Sequence, residues 1–294
     1  MKPSLADRIA VWPQYLLPQQ LLTRIAWALS SSERAWVRKP LIGGFRRLFA
    51  VNLAEAAEPD PSRYRSFNAF FTRALADNAR RPADPVHRLI SPCDGTTSQL
   101  GRIRDGQLIQ AKGMHYDAAT LLGSPAWAET FADGRFITIY LAPHDYHRVH
   151  APIAGRPVEE VRIPGRLFSV STRTSRAVPG LFARNERMAV ILDTAYGPVA
   201  VVMVAALLVA GIETVWGGPD DRRPGPQPRR RRLDAPTLAR GAELGRFHWG
   251  STVIVLTPAD FPDWDPNLQP GQKVLLGQAL SASRDGQGEG RAGL

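Results

Sequence analysis

Apolar residues follow two patterns along this chain, a helical period at the front and strand-like runs behind. Leu5 and Ile9, then Leu21, Leu22, Ile25, Ala26 and Leu29, recur at the three-to-four spacing of one helix face. Pro13 and Pro18 interrupt it, because proline has no amide hydrogen and crowds the preceding turn. A further helix is predicted to start at Pro40, with Leu41, Phe45, Leu48 and Phe49 apolar and Arg46 and Arg47 beside them. From about residue 89 the spacing shortens. Phe136–Leu141, Val199–Leu208 and Thr252–Leu256 are β-branched and aromatic, and predict strands. Pro164-Gly165, Pro179-Gly180, Gly197-Pro198 and Pro270-Gly271 mark turns between such runs. The pattern predicts an α+β protein, amphipathic helices first and a β-rich core after them.

Composition narrows the class. At 294 residues and 44% hydrophobic the chain can bury a full core. The longest apolar run, Val199–Ile212, is shorter than the roughly 20 residues a bilayer-spanning helix needs, and reads as buried strand. No secretory signal pattern opens the chain. The single cysteine, Cys93, excludes an internal disulfide framework and gives no support to a thiolate zinc site, so a reducing location fits. A net charge of +10 favours an anionic partner, nucleic acid or an acidic membrane surface. Trp12, Trp27 and Trp36 on arginine-bearing amphipathic helices suit a headgroup boundary; the same helices also suit a bundle packed on the core. Pro219–Arg232, with four prolines and six arginines, reads as an exposed loop, either an anion patch or a solvated insertion.

Three clusters hold candidate chemistry. His144-Asp145-Tyr146-His147-Arg148-Val149-His150 follows the strand Phe136–Leu141, and histidines every third residue suit a turn better than a strand face. A zinc site competes for them but lacks an obvious partner set, and no metal is expected. Ser91-Pro92-Cys93-Asp94-Gly95 supplies a carboxylate that is either turn chemistry or the orienting group of a histidine. Gly250-Ser251-Thr252 opens the last apolar run, in Gly245-Arg246-Phe247-His248-Trp249-Gly250-Ser251-Thr252.

With these blocks, and with Tyr64-Arg65-Ser66-Phe67-Asn68, Gln110-Ala111-Lys112-Gly113, Leu167-Phe168-Ser169-Val170, Leu181–Arg187 and Gly211-Ile212-Glu213-Thr214-Val215-Trp216, the chain resembles the pyruvoyl-dependent phosphatidylserine decarboxylases over most of its length. The resemblance implies barrel- or sandwich-like antiparallel sheets at 76–294, after a membrane-associating helical segment at 1–75. It implies self-cleavage between Gly250 and Ser251, with Ser251 as nucleophile, His150 as base and Asp94 orienting it. The products are a β chain of residues 1–250 and an α chain of residues 251–294, paired as a heterodimer, with any oligomer of that pair left open. Ser251 becomes a covalent pyruvoyl group, the only cofactor, whose carbonyl forms a Schiff base with the substrate amine. His147 is implied as proton donor to the carbanion left by decarboxylation. Phosphatidylserine and an anionic membrane surface are the implied partners, nucleic acid is not, and a peripheral position on the cytoplasmic side of the cell membrane follows. Departures from the family pattern are Trp249 for leucine, Cys93 for alanine, His144 for arginine, and the 219–232 segment. Two other classes remain in play. A Ser-His-Asp hydrolase acting on an external ester or peptide would keep Ser251 intact, although the G-x-S-x-G elbow is absent. A nucleic-acid binder would be indifferent to Ser251.

Overall fold

The computed structural model describes residues 4–83, 89–111, 113–208, 211–217, 225–248 and 251–282. Four helices lead: α1 (Leu5–Val11), α2 (Pro13–Leu16), α3 (Gln19–Ser30) and α4 (Ala35–Leu48). Ser4 starts α1 with a reciprocal cap, its hydroxyl accepting from Asp7 N at 3.0 Å while Asp7 Oδ2 accepts from Ser4 N. Helix α4 begins at Ala35 rather than at the expected Pro40, which it holds in its interior. It forgoes one bond of its ladder there, and burial of Val37, Ile42 and Phe45 along one face sets its course.

Helix α3 has its polarity reversed. Gln19, Thr23 and Ser30 are its buried residues, while Leu21, Ile25 and Leu29 are 55%, 49% and 47% exposed. Ile9, Trp12, Leu16, Trp36 and Leu48 on the neighbouring helices are also exposed. Behind α4 comes α5 (Phe67–Phe71), capped by Ser66, whose aromatics build a small separate core with Ile42, Phe45 and Tyr64. No helix among the described residues is long and apolar enough to cross a membrane.

The main core is an antiparallel sheet of eight strands: β1 (Gly95–Arg102), β4 (Arg135–Leu141), β6 (Gly155–Ile163), β7 (Arg187–Thr194), β8 (Gly197–Ala205), β10 (Arg229–Arg232), β12 (Ser251–Thr257) and β13 (Lys273–Val274). Their order is β10-β6-β7-β8-β12-β4-β1-β13, so the sheet is open, with β10 and β13 at its edges. A three-stranded sheet orders β5 (Arg148–His150), β11 (Glu243–Phe247) and β9 (Ile212–Thr214) as β5-β11-β9, and β2 (Gln107–Ala111) pairs with β3 (Met114–Asp117). Short helices α6 (Ala118–Leu122), α7 (Pro125–Thr130), α8 (Thr172–Ala177) and α9 (Leu181–Arg184) occupy connections. The α+β expectation holds. Strand β12 lies between β8 and β4 and is buried along its whole length, as its unbroken apolar run requires. Each buried Val, Ile or Leu there contributes about 1.5–3 kcal/mol, which makes this strand an anchor of the sheet.

Two expectations are corrected. The strand predicted over Val199–Leu208 stops at Ala205, and Leu208 sits at φ 69, a left-handed conformation that no strand continues through. The apolar run resumes in β9, in the other sheet, rather than as one strand to Ile212. The segment 219–232 is not loop throughout. Residues 219–224 lie outside the described residues, but Arg229–Arg232 is an edge strand on β6, where Arg230 meets Glu159 at 2.8 Å and Arg231 meets Glu160 at 3.4 Å. Cross-strand carboxylates convert a like-charge run into a paired, charged edge.

Candidate active site

Sheet register gathers the candidate residues at one end of the large sheet. Ser251, the first residue of β12, lies opposite Leu141, the last of β4, and opposite Ala205, the last of β8. Thr96 of β1 pairs with Tyr140, so Asp94, just before β1, is at the same end. The chain leaving β4 forms the histidine turn and then β5. His150 N donates to Pro92 O at 2.8 Å, and Phe247 N donates to His147 O at 3.0 Å. These bonds lay the turn between the Asp94 segment and the strand leading to Ser251.

Hydrogen bonding divides the four residues into two kinds. Asp94 is buried and fully engaged: its two oxygens accept from Arg80 Nε at 3.1 Å and Nη2 at 2.6 Å, and Oδ1 accepts from Leu276 N at 2.8 Å. Arg80 also reaches Glu55 at 2.8 Å. His150 Nδ1 is 2.7 Å from Gly241 O, which can only accept, so Nδ1 is the protonated nitrogen and Nε2 takes the Tyr146 O–H at 3.0 Å. The bond expected between Asp94 and His150 is therefore not made. Asp94 is turned to Arg80, and the Gly241 carbonyl orients His150 instead. Burial, ahead of every other influence, holds the His150 pKa below its ordinary value.

His147 and Ser251 are both fully buried and both hold a bare polar atom. His147 Nδ1 donates to Asp145 O at 2.8 Å, which leaves Nε2 as a lone-pair acceptor with no partner among the described residues. Phe71 packs on the imidazole, ring centroids 4.1 Å apart. Burial drives the His147 pKa down to about 3, so the ring is neutral at physiological pH. Ser251 Oγ likewise has no partner among the described residues. An apolar cavity of about 220 Å³ reaches this end of the sheet from α4, lined by Phe45, Phe49, Phe71, Leu141, Pro143 and Ala206 among others. Leu141 and Ala206 place it beside the strand ends that flank Ser251.

Other predicted positions take lesser places. His144 is partly exposed, with Nε2 3.5 Å from Asp145 Oδ1. Gly250 and Trp249 lie outside the described residues, as do His87 and Lys112. His248, given no role by sequence, pairs with Glu213 at 3.0 Å and meets the Trp27 ring edge-on. Among the described residues no group of histidine, cysteine and carboxylate side chains is arranged to hold a metal. Sequence reasoning passed over Arg73, Arg80, Tyr146 and Gly241. Tyr146 stood inside the histidine block, whereas nothing in Ala79-Arg80-Arg81-Pro82 signals a partner for Asp94.

Comparison with known proteins identifies relatives of the whole chain. A family model described as phosphatidylserine decarboxylase matches residues 67–282, and one described as PSD matches residues 9–50. A phosphatidylserine decarboxylase proenzyme of Xanthomonas euvesicatoria pv. vesicatoria is 51% identical over 91% of this chain and 96% of its own length. The proenzyme of Azotobacter vinelandii is 47% identical over 93% of this chain and 98% of its own.

Proposed function

This chain belongs to the phosphatidylserine decarboxylase family and is a decarboxylase of that phospholipid; from this premise we propose how its own residues do the work. The observation that supports the reading is that Ser251 Oγ and His147 Nε2, at the end of the sheet where the apolar cavity opens, are buried and have no partner among the described residues.

Ser251 Oγ attacks the carbonyl carbon of Gly250. The Oγ–C bond forms, the Gly250–Ser251 amide bond breaks, and the hydroxyl proton passes by way of a base to the departing Ser251 nitrogen. His150 is that base in this reading, and because its Nε2 is held by Tyr146 O–H, Tyr146 must release it first. Removal of the Ser251 Cα proton with cleavage of its Cβ–Oγ bond would then free the Gly250 carboxylate and leave a dehydroalanine, whose imine tautomer would take up water and lose ammonia to leave a pyruvoyl group at the new N-terminus. The local chemistry fits: conversion of Ser251 removes a buried O–H donor that has no partner among the described residues. When formed, the group supplies an electron sink for the carbanion that carbon dioxide leaves behind.

His147 begins neutral, with Nδ1–H committed to Asp145 and Nε2 bare, so it can give a proton only after taking one. The ammonium of the serine headgroup is a source, and Nε2 then returns the proton to the substrate carbon. The outward apolar face of α3, with Trp12, Trp36 and Leu48 exposed and Arg24, Arg46 and Arg47 among them, gives the 1–75 segment a surface for an anionic membrane. The 76–294 segment then works as the catalytic unit, peripheral to the cytoplasmic face of the membrane, with its two product chains paired.

Denaturing mass spectrometry of the purified protein tests the reading. A 251–294 chain blocked by pyruvate beside a 1–250 chain is the expected result. A sample containing only the intact chain yet releasing carbon dioxide from phosphatidylserine would overturn it and favour an intact Ser251.

A further inference from the structure

Arg73 is a buried cation that the reaction described so far does not use. It is 4% exposed, and its guanidinium lies over the Phe70 ring at 5.9 Å. Nη2 donates to the backbone carbonyls of His144 at 3.1 Å and Asp145 at 3.3 Å, while Nε and Nη1 have no partner among the described residues. The Asp145 carbonyl is the one that accepts Nδ1–H of His147. The histidine turn grips back, because Arg148 Nε donates to Thr72 O at 2.9 Å while its Nη1 is held by Glu243 at 2.7 Å. Residues 72–73 and 144–148 are thus clasped by two arginines acting in opposite directions.

We propose that Arg73 is a positioning residue for decarboxylation, fixing the 144–145 carbonyls so that His147 keeps Nδ1–H on Asp145 and Nε2 bare. This rests on the reading of His147 as the group that moves the proton. A buried guanidinium with two idle donors is a costly arrangement, and it persists where the surrounding fold over-determines it. Arg73 adds a second effect, since its fixed positive charge disfavours an imidazolium next to it. The groups that bear on His147 come from two sides. Phe71 and Arg73 come from the α5 side, and His144 and the Asp145 carbonyl from the turn; the Asp145 carboxylate is occupied by Ala142 N at 2.7 Å and by His144. Burial outweighs the charges in holding the ring neutral, and Arg73 acts in the same direction.

The test uses the full-length, self-processed protein with phosphatidylserine in mixed micelles. Arg73→Gln removes the charge and one arm of the fork. It is expected to mature normally, because the partners of His150 are Gly241 and Tyr146, and to lose about 10- to 100-fold in kcat with KM within about threefold. The acid limb of its pH profile should move up toward the ordinary histidine value of about 6.5. Arg73→Lys keeps the charge but not the fork, so it should show a lower kcat on an unshifted acid limb. Parent-like kcat and pH profile in Arg73→Gln overturn the proposal, as does a kcat loss with no movement of the acid limb. If Arg73→Gln fails to mature, Arg73→Lys decides: parent kcat overturns, reduced kcat with unchanged KM supports. His147→Ala separates this proposal from the reading beneath it. Parent turnover in His147→Ala removes the role of His147; an inactive His147→Ala beside a parent-like Arg73→Gln removes only the role of Arg73.

Discussion

Two pairs of side chains share one end of the large sheet and live in opposite states. Asp94 and His150 have hydrogen-bond partners on every side: two arginine nitrogens and a backbone amide for one, a carbonyl and a tyrosine for the other. Ser251 and His147 are more deeply buried, and each keeps one polar atom bare. Satisfied buried polar groups hold shape, whereas a bare one raises the energy of the resting state; Thr138, Thr252 and Thr257 of the sheet also hold bare hydroxyls, so it is the position of Ser251 and His147 at the cavity end that sets them apart. In the proposed reading the first pair is held in place until Tyr146 releases the base His150, while the second already presents its reactive atoms.

Removing members of each pair should therefore do different things. Ser251→Ala is expected to abolish both the 251–294 fragment and carbon dioxide release, down to the blank. It should nevertheless fold at least as stably as the parent, since it deletes a hydroxyl without a partner among the described residues; a fall in Tm of several degrees would contradict this. Asp94→Ala should do the reverse to stability. It strands Arg80 beside a single remaining carboxylate and leaves Leu276 N without an acceptor, at about 1–3 kcal/mol, read from the denaturant midpoint of uncut protein. Maturation would slow with it, by an amount that dot densitometry of the two chains can follow over time.

Acid sharpens the contrast further. The folded-state pKa of His147, about 3, is below its ordinary value near 6.5, so the unfolded chain binds a proton first as pH falls. That part of the stability is intact above about pH 6.5 and is lost progressively toward pH 3. At pH 5 the loss is on the order of 2 kcal/mol, and His147→Gln should flatten it in denaturant titrations at pH 7.5 and 5. The smallest effect belongs to the outward helices. Trp12→Ser or Trp36→Ser should weaken co-sedimentation with phosphatidylserine-containing vesicles several-fold and leave Tm unchanged, because both side chains already face outward.

Much of this was legible from residue order. Strands β4 and β12 appeared within a residue of their predicted ends, because a central buried strand must be apolar on both faces. The helical period foretold α1 and α3, and the prolines foretold their breaks. Pairing between distant side chains was not legible. An aspartate before glycine does not reveal that Arg80 will claim both its oxygens, and four consecutive arginines read as loop until Glu159 and Glu160 appear across the strand. Arg73 left no trace at all, since its partners are main-chain carbonyls, which every residue possesses.

The chain changes sheets at the proposed point of cleavage. Strand β11 stays clasped by β5 and β9, three residues intervene, and β12 runs down the middle of the eight-stranded sheet between β8 and β4. A break at 250–251 therefore nicks the molecule without dividing it. The shorter product contributes a central strand, the β13 edge on β1 and the amide of Leu276 that Asp94 holds, so it cannot leave while the sheet stands. The two chains would be partners by chemistry and a single folding unit by history. Separated in denaturant and mixed again, they should fail to rebuild what the uncut chain assembles unaided.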